Sequence, residues 1–179
     1  AHMTYHLYGR HAFGLGEMEK AVELFRTAIR LEPDDYQSQA LLEGPLRSLG
    51  RVDEARESNR LAGIAIERRL QRRPDDVRAL LLGSVQAAHV GDAERARALG
   101  HRAMAARPDD FSTAYNVACA HALLGERDRA LELAEQLRRQ VPADGRPWAD
   151  ALLLEILLAP GQLSPNHTPR LAELRDAAL

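Results

Sequence analysis

The tripeptide Pro-Asp-Asp occurs at Pro33, Pro74 and Pro108, and a related Pro-Ala-Asp starts at Pro142. Successive prolines stand 41, 34 and 34 residues apart. Each is preceded by a glycine and an alanine in fixed register: Gly16 and Ala21, Gly50 and Ala55, Gly91 and Ala96, Gly125 and Ala130. A period near 34 residues marks a stacked repeat architecture, in which no unit can bury its apolar face alone. Within each period the glycine ends a first helix, A, where left-handed backbone is cheap only without a Cβ. The small alanine lets a second helix, B, approach closely. The proline then stops helix B, and an aspartate is placed to cap the next helix A.

One interval is seven residues longer than the others, and its excess can be located. From alanine to proline the units measure 12, 19, 12 and 12 residues, whereas from each proline to the next glycine the distance is always 17. The insertion therefore lies inside helix B of the second unit, between Ala55 and Pro74. Seven residues turn a helix through about 700°, roughly 20° short of two turns. The helix would lengthen by about 10 Å and keep its apolar face. Ala62, Ile66, Arg69 and Leu70 continue the face begun by Ala55 and Asn59, and after Gly63 no breaker occurs before Pro74. Gly63 costs about 1 kcal/mol relative to alanine there. The alternative is a helix of ordinary length followed by a loop, although IERRLQRR contains none of the usual loop residues. A long helix would step the third unit sideways and leave Leu61 and Ile64 as apolar flanks. These flanks are then a dimer contact, the seat of another domain, or residues covered by neighbouring helices.

Composition agrees with packed helices: 45% of residues are hydrophobic but only 4% aromatic. A net charge of −2 exerts no global pull towards nucleic acid or an anionic membrane. No apolar run is long enough for a transmembrane helix, and no signal-peptide pattern is visible. The single cysteine, Cys119, excludes an intrachain disulfide framework and suits a reducing, cytoplasmic setting. Lys20 is the only lysine, which with the alanine excess points to a GC-rich bacterial genome. Residues 1–3, Ala-His-Met, read as a cloning scar, and helical patterning begins at once after them, so a fragment of a larger protein is expected.

No catalytic motif survives inspection: there is no HExxH, Walker loop, GxSxG or dinucleotide-binding glycine pattern. The reading is therefore non-enzymatic, with no cofactor and no metal. Cys119 and His121 are two residues apart and would not face each other on a helix; Cys119 reads as a small core or groove residue. His6, His11, His89 and His101 lack ligand spacing. The densest basic run is RRLQRR (Arg68, Arg69, Arg72, Arg73). It is either the solvated end of a long helix, complementing its dipole, or a contact for an acidic peptide or phosphate. Pro45, after Gly44 inside helix A of the second unit, should bend that helix. Such a bend either widens a groove or is tolerated beside the step.

These registers resemble the tetratricopeptide repeat. In the first unit Tyr5, Tyr8, Gly9, Gly16, Ala21, Phe25, Ala28 and Pro33 fall in the pattern. The third supplies Gly91, Ala96, Ala103 and Pro108; the fourth Gly125, Ala130 and Pro142; the second Gly50 and Ala55, with Asn59 at the aromatic position. The resemblance implies an all-α fold, an alpha-alpha superhelix (a solenoid) of about four helix-turn-helix repeats with C-terminal capping helices. Repeats are expected at 4–35, 36–76, 77–110 and 111–144, a capping helix with Trp148 at 145–159, a loop at 160–167, and a terminal helix at 168–179. The fourth unit, YNVACAHALLGERDRALEL, also resembles the last repeat of C-terminal arrays in multidomain bacterial signalling proteins. Such arrays stand behind a cyclase, kinase or winged-helix domain.

In the family, A helices line a concave face that binds extended peptides or partner segments. Transferred by position, that face presents His6, Arg10, Gln37, Arg78, Leu81, Val85, Tyr115, Asn116 and Cys119. The family's clamp for chaperone tails is not matched: its slots hold Ala40, Gly44, Leu82, Ser112 and Asn116, or, one unit earlier, His6, Arg10, Leu41, Arg78 and Leu82. The expected function is a non-catalytic protein-interaction module that binds a peptide or partner domain, within a larger bacterial regulatory protein. Nucleic acid and membrane are not expected partners. The alternatives are a homodimer scaffold using the extended helix, or an accessory domain of a cyclase, kinase or transcription regulator.

Overall fold

The computed structural model describes residues 1–140; the expected capping helix, loop and terminal helix, together with Pro142, lie outside the described residues. Among the described residues there are eight helices and no strand: α1 His2–Gly14, α2 Met18–Leu31, α3 Tyr36–Ser48, α4 Val52–Arg72, α5 Val77–His89, α6 Ala93–Ala106, α7 Phe111–Leu123 and α8 Arg127–Gln140. They alternate as helix A and helix B. The chain divides into two compact units, Ala1–Gln86 and Ala87 onwards.

In the first unit α1 packs on α2, α2 on α3, and α3 on α4. The A-to-B turns follow one design. Gly16 has φ +79°, and the Gly16 and Glu17 amides donate to the Phe13 and Ala12 carbonyls at 3.1 and 2.9 Å. Gly50 repeats this at φ +72° with the Arg47 and Leu46 carbonyls. The orphan carbonyls of helix A are thus satisfied by a left-handed cap that a side chain would strain. At the B-to-A turns the second aspartate of each Pro-Asp-Asp caps the next helix: Asp35 accepts from the Ser38 amide at 3.2 Å and Asp76 from the Ala79 amide at 3.1 Å.

The core of this unit gathers Ala12, Ala21, Val22, Phe25, Leu42, Leu46 and Ala55. Glycines in the A helices set the spacing. A Cβ on Gly9 would lie 2.9 Å from the Phe25 ring, and one on Gly44 would lie 3.1 Å from the Phe13 ring. Gly44 therefore sits at a close approach between α1 and α3. The helix runs unbroken from Tyr36 to Ser48 across a buried Pro45.

Helix α4 has 21 residues, against 14 in α2 and α6. Its buried positions Ala55, Asn59, Ala62, Ile66 and Leu70 keep a three- or four-residue spacing through the added two turns. The far end is tied down by charge. Arg69 donates to Asp76 at 2.6 Å and stands 5.7 Å from the Tyr36 ring centroid, while the Tyr36 hydroxyl donates to the same carboxylate at 3.3 Å. Arg72 and Arg68 pair with Asp34 at 3.2 and 3.9 Å. Three cations of RRLQRR are thus engaged within the chain.

Gly63, in the middle of α4, faces Gln86: a Cβ there would meet the amide nitrogen at 2.9 Å. That amide is the end of a flexible side chain, and its bond to the Asn59 carbonyl is long at 3.4 Å. Alanine gains about 1 kcal/mol in a helix interior, which outweighs a displaced glutamine amide. Gly63→Ala is expected to raise stability by about 0.5–1 kcal/mol in urea unfolding; a loss would mean that Gln86 cannot move.

In the second unit α7 packs on α6 and on α8. Its core gathers Ala114, Ala130, Leu131, Ala134 and Leu137, with Met104 and Phe111 packed against it. Asp92 and Asp110 cap α6 and α7. The position of Phe25 in the first repeat is Asn59, Gly100 and Ala134 in the others, all buried.

Candidate partner-binding face

The helix-A side of the first unit is built from α1, α3 and the beginning of α5. His6 is only 2% exposed. Its Nδ1 lies 2.9 Å from the Ser38 hydroxyl, and that hydroxyl donates to Asp35 at 2.6 Å. With the hydroxyl proton committed to Asp35, the imidazole Nδ1–H is the donor to the Ser38 oxygen. Burial lowers the His6 pKa; Asp35 opposes the shift, and Arg10 and Arg78 reinforce it. The ring also tilts against Phe25, with centroids 6.1 Å apart. His6 thus supports the face from beneath. Leu81, 4% exposed, does the same, while Gln37 and Val85 are half-buried.

Two arginines give this face its charge. Arg10 is exposed and Arg78 half-buried. The Arg78 Nε is buried without a hydrogen-bond partner. Burial, and then the neighbouring Arg10, disfavour its charged form. Elsewhere in this unit Arg26, Arg47, Arg51, Arg60, Arg69 and Arg72 each pair with a carboxylate, whereas the exposed Arg30 and Arg73 do not. Among the described residues, neither Arg10 nor Arg78 has an ion-pair partner. A half-buried guanidinium beside a second cation, neither with an ion-pair partner, is suited to a carboxylate supplied from outside. Both arginines are among the positions that the family resemblance implies for this face, whereas the idle Nε has no signal in the sequence.

The second unit places Tyr115, Asn116 and Cys119 together on α7, all half-buried. Tyr115 and Cys119 pack on the Ala114–Leu131 core, and the Asn116 amide donates to the Ser112 carbonyl at 2.7 Å. The His121 Nδ1 is 2.6 Å from the Glu126 carboxylate. Burial would raise the Glu126 pKa, but Arg97 and His121 together hold it below the usual value.

On the helix-B side of the first unit there is a cleft of about 620 Å³, with Ile29, Leu42 and Leu61 as apolar wall and Arg26 and Arg30 among its polar lining. The repeat arithmetic did not foresee it. Among the described residues no group of His, Cys, Asp and Glu could hold a metal ion, and no helix is long and apolar enough to cross a membrane.

Comparison with known proteins completes the picture. A family model described as tetratricopeptide repeat matches residues 4–35. No curated protein matches the sequence. Among solved structures the chain is similar to a thermophilic TPR protein of Thermus thermophilus, with 22% identity, 99% of this chain and 96% of that chain covered, and a TM-score of 0.60. It is also similar to pilF of Pseudomonas aeruginosa, at 17% identity, 99% and 85% coverage and a TM-score of 0.54. A third is MamA of Desulfovibrio magneticus RS-1, at 15% identity, 98% and 96% coverage and a TM-score of 0.52. Residues 4–35 thus match the tetratricopeptide-repeat model, and the chain shares its fold with solved tetratricopeptide-repeat structures.

Proposed function

We propose that the chain is a non-catalytic protein-interaction module whose helix-A face in the first unit holds an extended, carboxylate-bearing peptide. The observation that carries this reading is the pair Arg10 and Arg78, two neighbouring cations on one face without an ion-pair partner, one of them half-buried. Arg78 would give the charge-assisted bonds, Arg10 would add charge at the rim, and Gln37 and Val85 would contact the peptide backbone and side chains. Tyr115, Asn116 and Cys119 form a second surface of the same kind on α7. The single cysteine is compatible with a cytoplasmic setting, and neither nucleic acid nor membrane is a partner in this reading.

The test is fluorescence anisotropy with a labelled hexapeptide of Asp, Glu and Leu bearing a free C-terminus, against its Asn/Gln, C-amidated counterpart. The acidic peptide should bind about tenfold or more tightly than the neutral one, because a charged hydrogen bond is worth about 1.5–3 kcal/mol. Arg78→Gln should abolish that preference without changing helicity. Equal binding of both peptides, or a preference that survives Arg78→Gln, would sink the proposal.

A further inference from the structure

The cleft on the helix-B side of the first unit has an apolar interior and a charged wall. Ile29 on α2, Leu42 on α3 and Leu61 on α4 line it. Leu42 is 7% exposed and Leu61 43%, so apolar surface runs from the floor to the open edge. Its volume of about 620 Å³ lies within the range of about 300–1,000 Å³ typical of ligand pockets. Walls and floor all belong to α2, α3 and α4, which have other helices before and after them in the chain.

The polar groups inside the cleft are engaged within the chain. The Ser58 hydroxyl donates to the Gln39 carbonyl at 3.2 Å, and the Gln39 amide donates to the Pro33 carbonyl at 2.8 Å. The Thr27 hydroxyl donates to the Glu23 carbonyl at 2.9 Å, and Arg26 pairs with Glu54 at 2.5 Å. Two charges on the α2 wall are left over. Arg30 donates to the Thr27 hydroxyl at 2.8 Å, and among the described residues neither Arg30 nor the Glu23 carboxylate has an ion-pair partner. They are seven residues apart, so they stand on one line along α2, two turns or about 10 Å from each other.

The internal repeats show that the fold does not require this arrangement. Aligned on the turn glycines, Glu23 and Arg30 correspond to Ala98 and Ala105 on α6. Ser58 corresponds to Leu133 on α8, which is 2% exposed. In the second unit a buried leucine thus replaces the small hydroxyl of the cleft, and the two wall charges are missing.

We infer that the cleft is a docking groove for an amphipathic helix of another protein. Leucines of that helix enter between α2 and α4. At the edge of its apolar stripe, two turns apart, it carries a lysine or arginine facing Glu23 and an aspartate or glutamate facing Arg30. The floor selects apolar side chains because its hydroxyls and the Gln39 amide already have partners. The leftover charges select the flanking pair: a heptad spacing on the guest matches theirs, and opposite signs at the two ends fix its direction. This surface is separate from the Arg10–Arg78 face and does not depend on that reading. A hexapeptide is too short to hold a helix, so the two surfaces answer to different probes.

The experiment is fluorescence anisotropy of the full 179-residue chain with a labelled, alanine-rich helical peptide of about 18 residues, in which a lysine and a glutamate seven residues apart flank two leucines. Binding should saturate, and should weaken about tenfold or more when the two leucines become alanine. Leu61→Lys should weaken it about as much, with unchanged helicity by circular dichroism because that side chain stands at the open edge. Arg30→Glu should weaken it about fivefold, and a peptide with lysine in place of its glutamate should restore it. Arg78→Gln should change nothing. No saturable binding, as when residues 141–179 or a second copy hold the cleft, overturns the inference. Binding that survives Leu61→Lys, a loss caused by Arg78→Gln, or an Arg30→Glu loss that the lysine peptide does not restore overturns it as well.

Discussion

Phe25→Ala is expected to cost about 3–5 kcal/mol of stability, the largest effect of any single substitution considered in this chain. Phe25 is fully buried, and its ring fills the space that Gly9 leaves on α1, beside the His6 imidazole. Truncation removes the transfer free energy of the ring and opens a cavity between α1 and α2. The wall cannot collapse freely, because His6 is held to Ser38 and, through it, to Asp35. The same geometry predicts a sign reversal. Gly9→Ala in the wild type forces a methyl to 2.9 Å from the ring and should cost about 1–3 kcal/mol. In the Phe25→Ala background that methyl enters the vacated space and should stabilise. Urea unfolding of the four proteins gives the coupling energy. Simple additivity would show that α1 and α2 do not meet at this point.

Asp76→Ala is expected to cost about 2–3 kcal/mol, because one carboxylate serves three partners. It caps α5 through the Ala79 amide, accepts from Arg69 at 2.6 Å, and receives the Tyr36 hydroxyl. Removing it exposes the helix end and leaves two polar groups without an acceptor. Arg69 is partly solvated, so its share is screened and lies at the low end. Burial pushes the Tyr36 hydroxyl up to about 12, with Asp76 adding to the shift, and it remains a donor across the whole accessible range. Asp76→Asn retains a capping oxygen and should lose about half as much.

The pH dependence has a definite sign. Burial acts to raise the Asp76 pKa, but Arg69, the Ala79 amide and Tyr36 outweigh it and the pKa is lowered. A lowered carboxylate contributes stability that is fully present above its unfolded value of about 4 and is lost as the pH falls through the folded value. The difference between wild type and Asp76→Ala should therefore be constant near neutrality and shrink below about pH 4. A difference that persists in acid would place its origin in packing rather than in the charge.

How much of this was readable beforehand depends on whether a residue acts along the chain or across it. The turn glycines, the capping aspartates and the face of α4 are local or periodic features. Intervals of 34 and 41 residues expose them directly. Gly63 and Gly44 were visible as irregularities, but their surroundings were not, because each faces a neighbour far along the chain: Gln86 for the first and Phe13 for the second. The basic run at 68–73 read either as the solvated end of a long helix or as a contact for an acidic peptide or phosphate. Its engagement by Asp34, Asp76 and Tyr36 follows from the two added turns, which carry those cations alongside the start of α3 and α5. His6 and Arg78 share a face by position, yet one is a buried hydrogen-bonded support and the other a half-buried cation with an idle donor. Burial separates them, and periodicity carries no measure of it.

The most direct measurement of the account is an amide chemical-shift titration of the chain with the acidic hexapeptide. The predicted result is a set of saturating shifts on α1, α3 and the start of α5, centred on Arg10, Gln37 and Arg78 and absent in Arg78→Gln. Shifts centred instead on Arg26 and Arg30 at the helix-B cleft, or no saturable shifts at all, would contradict it.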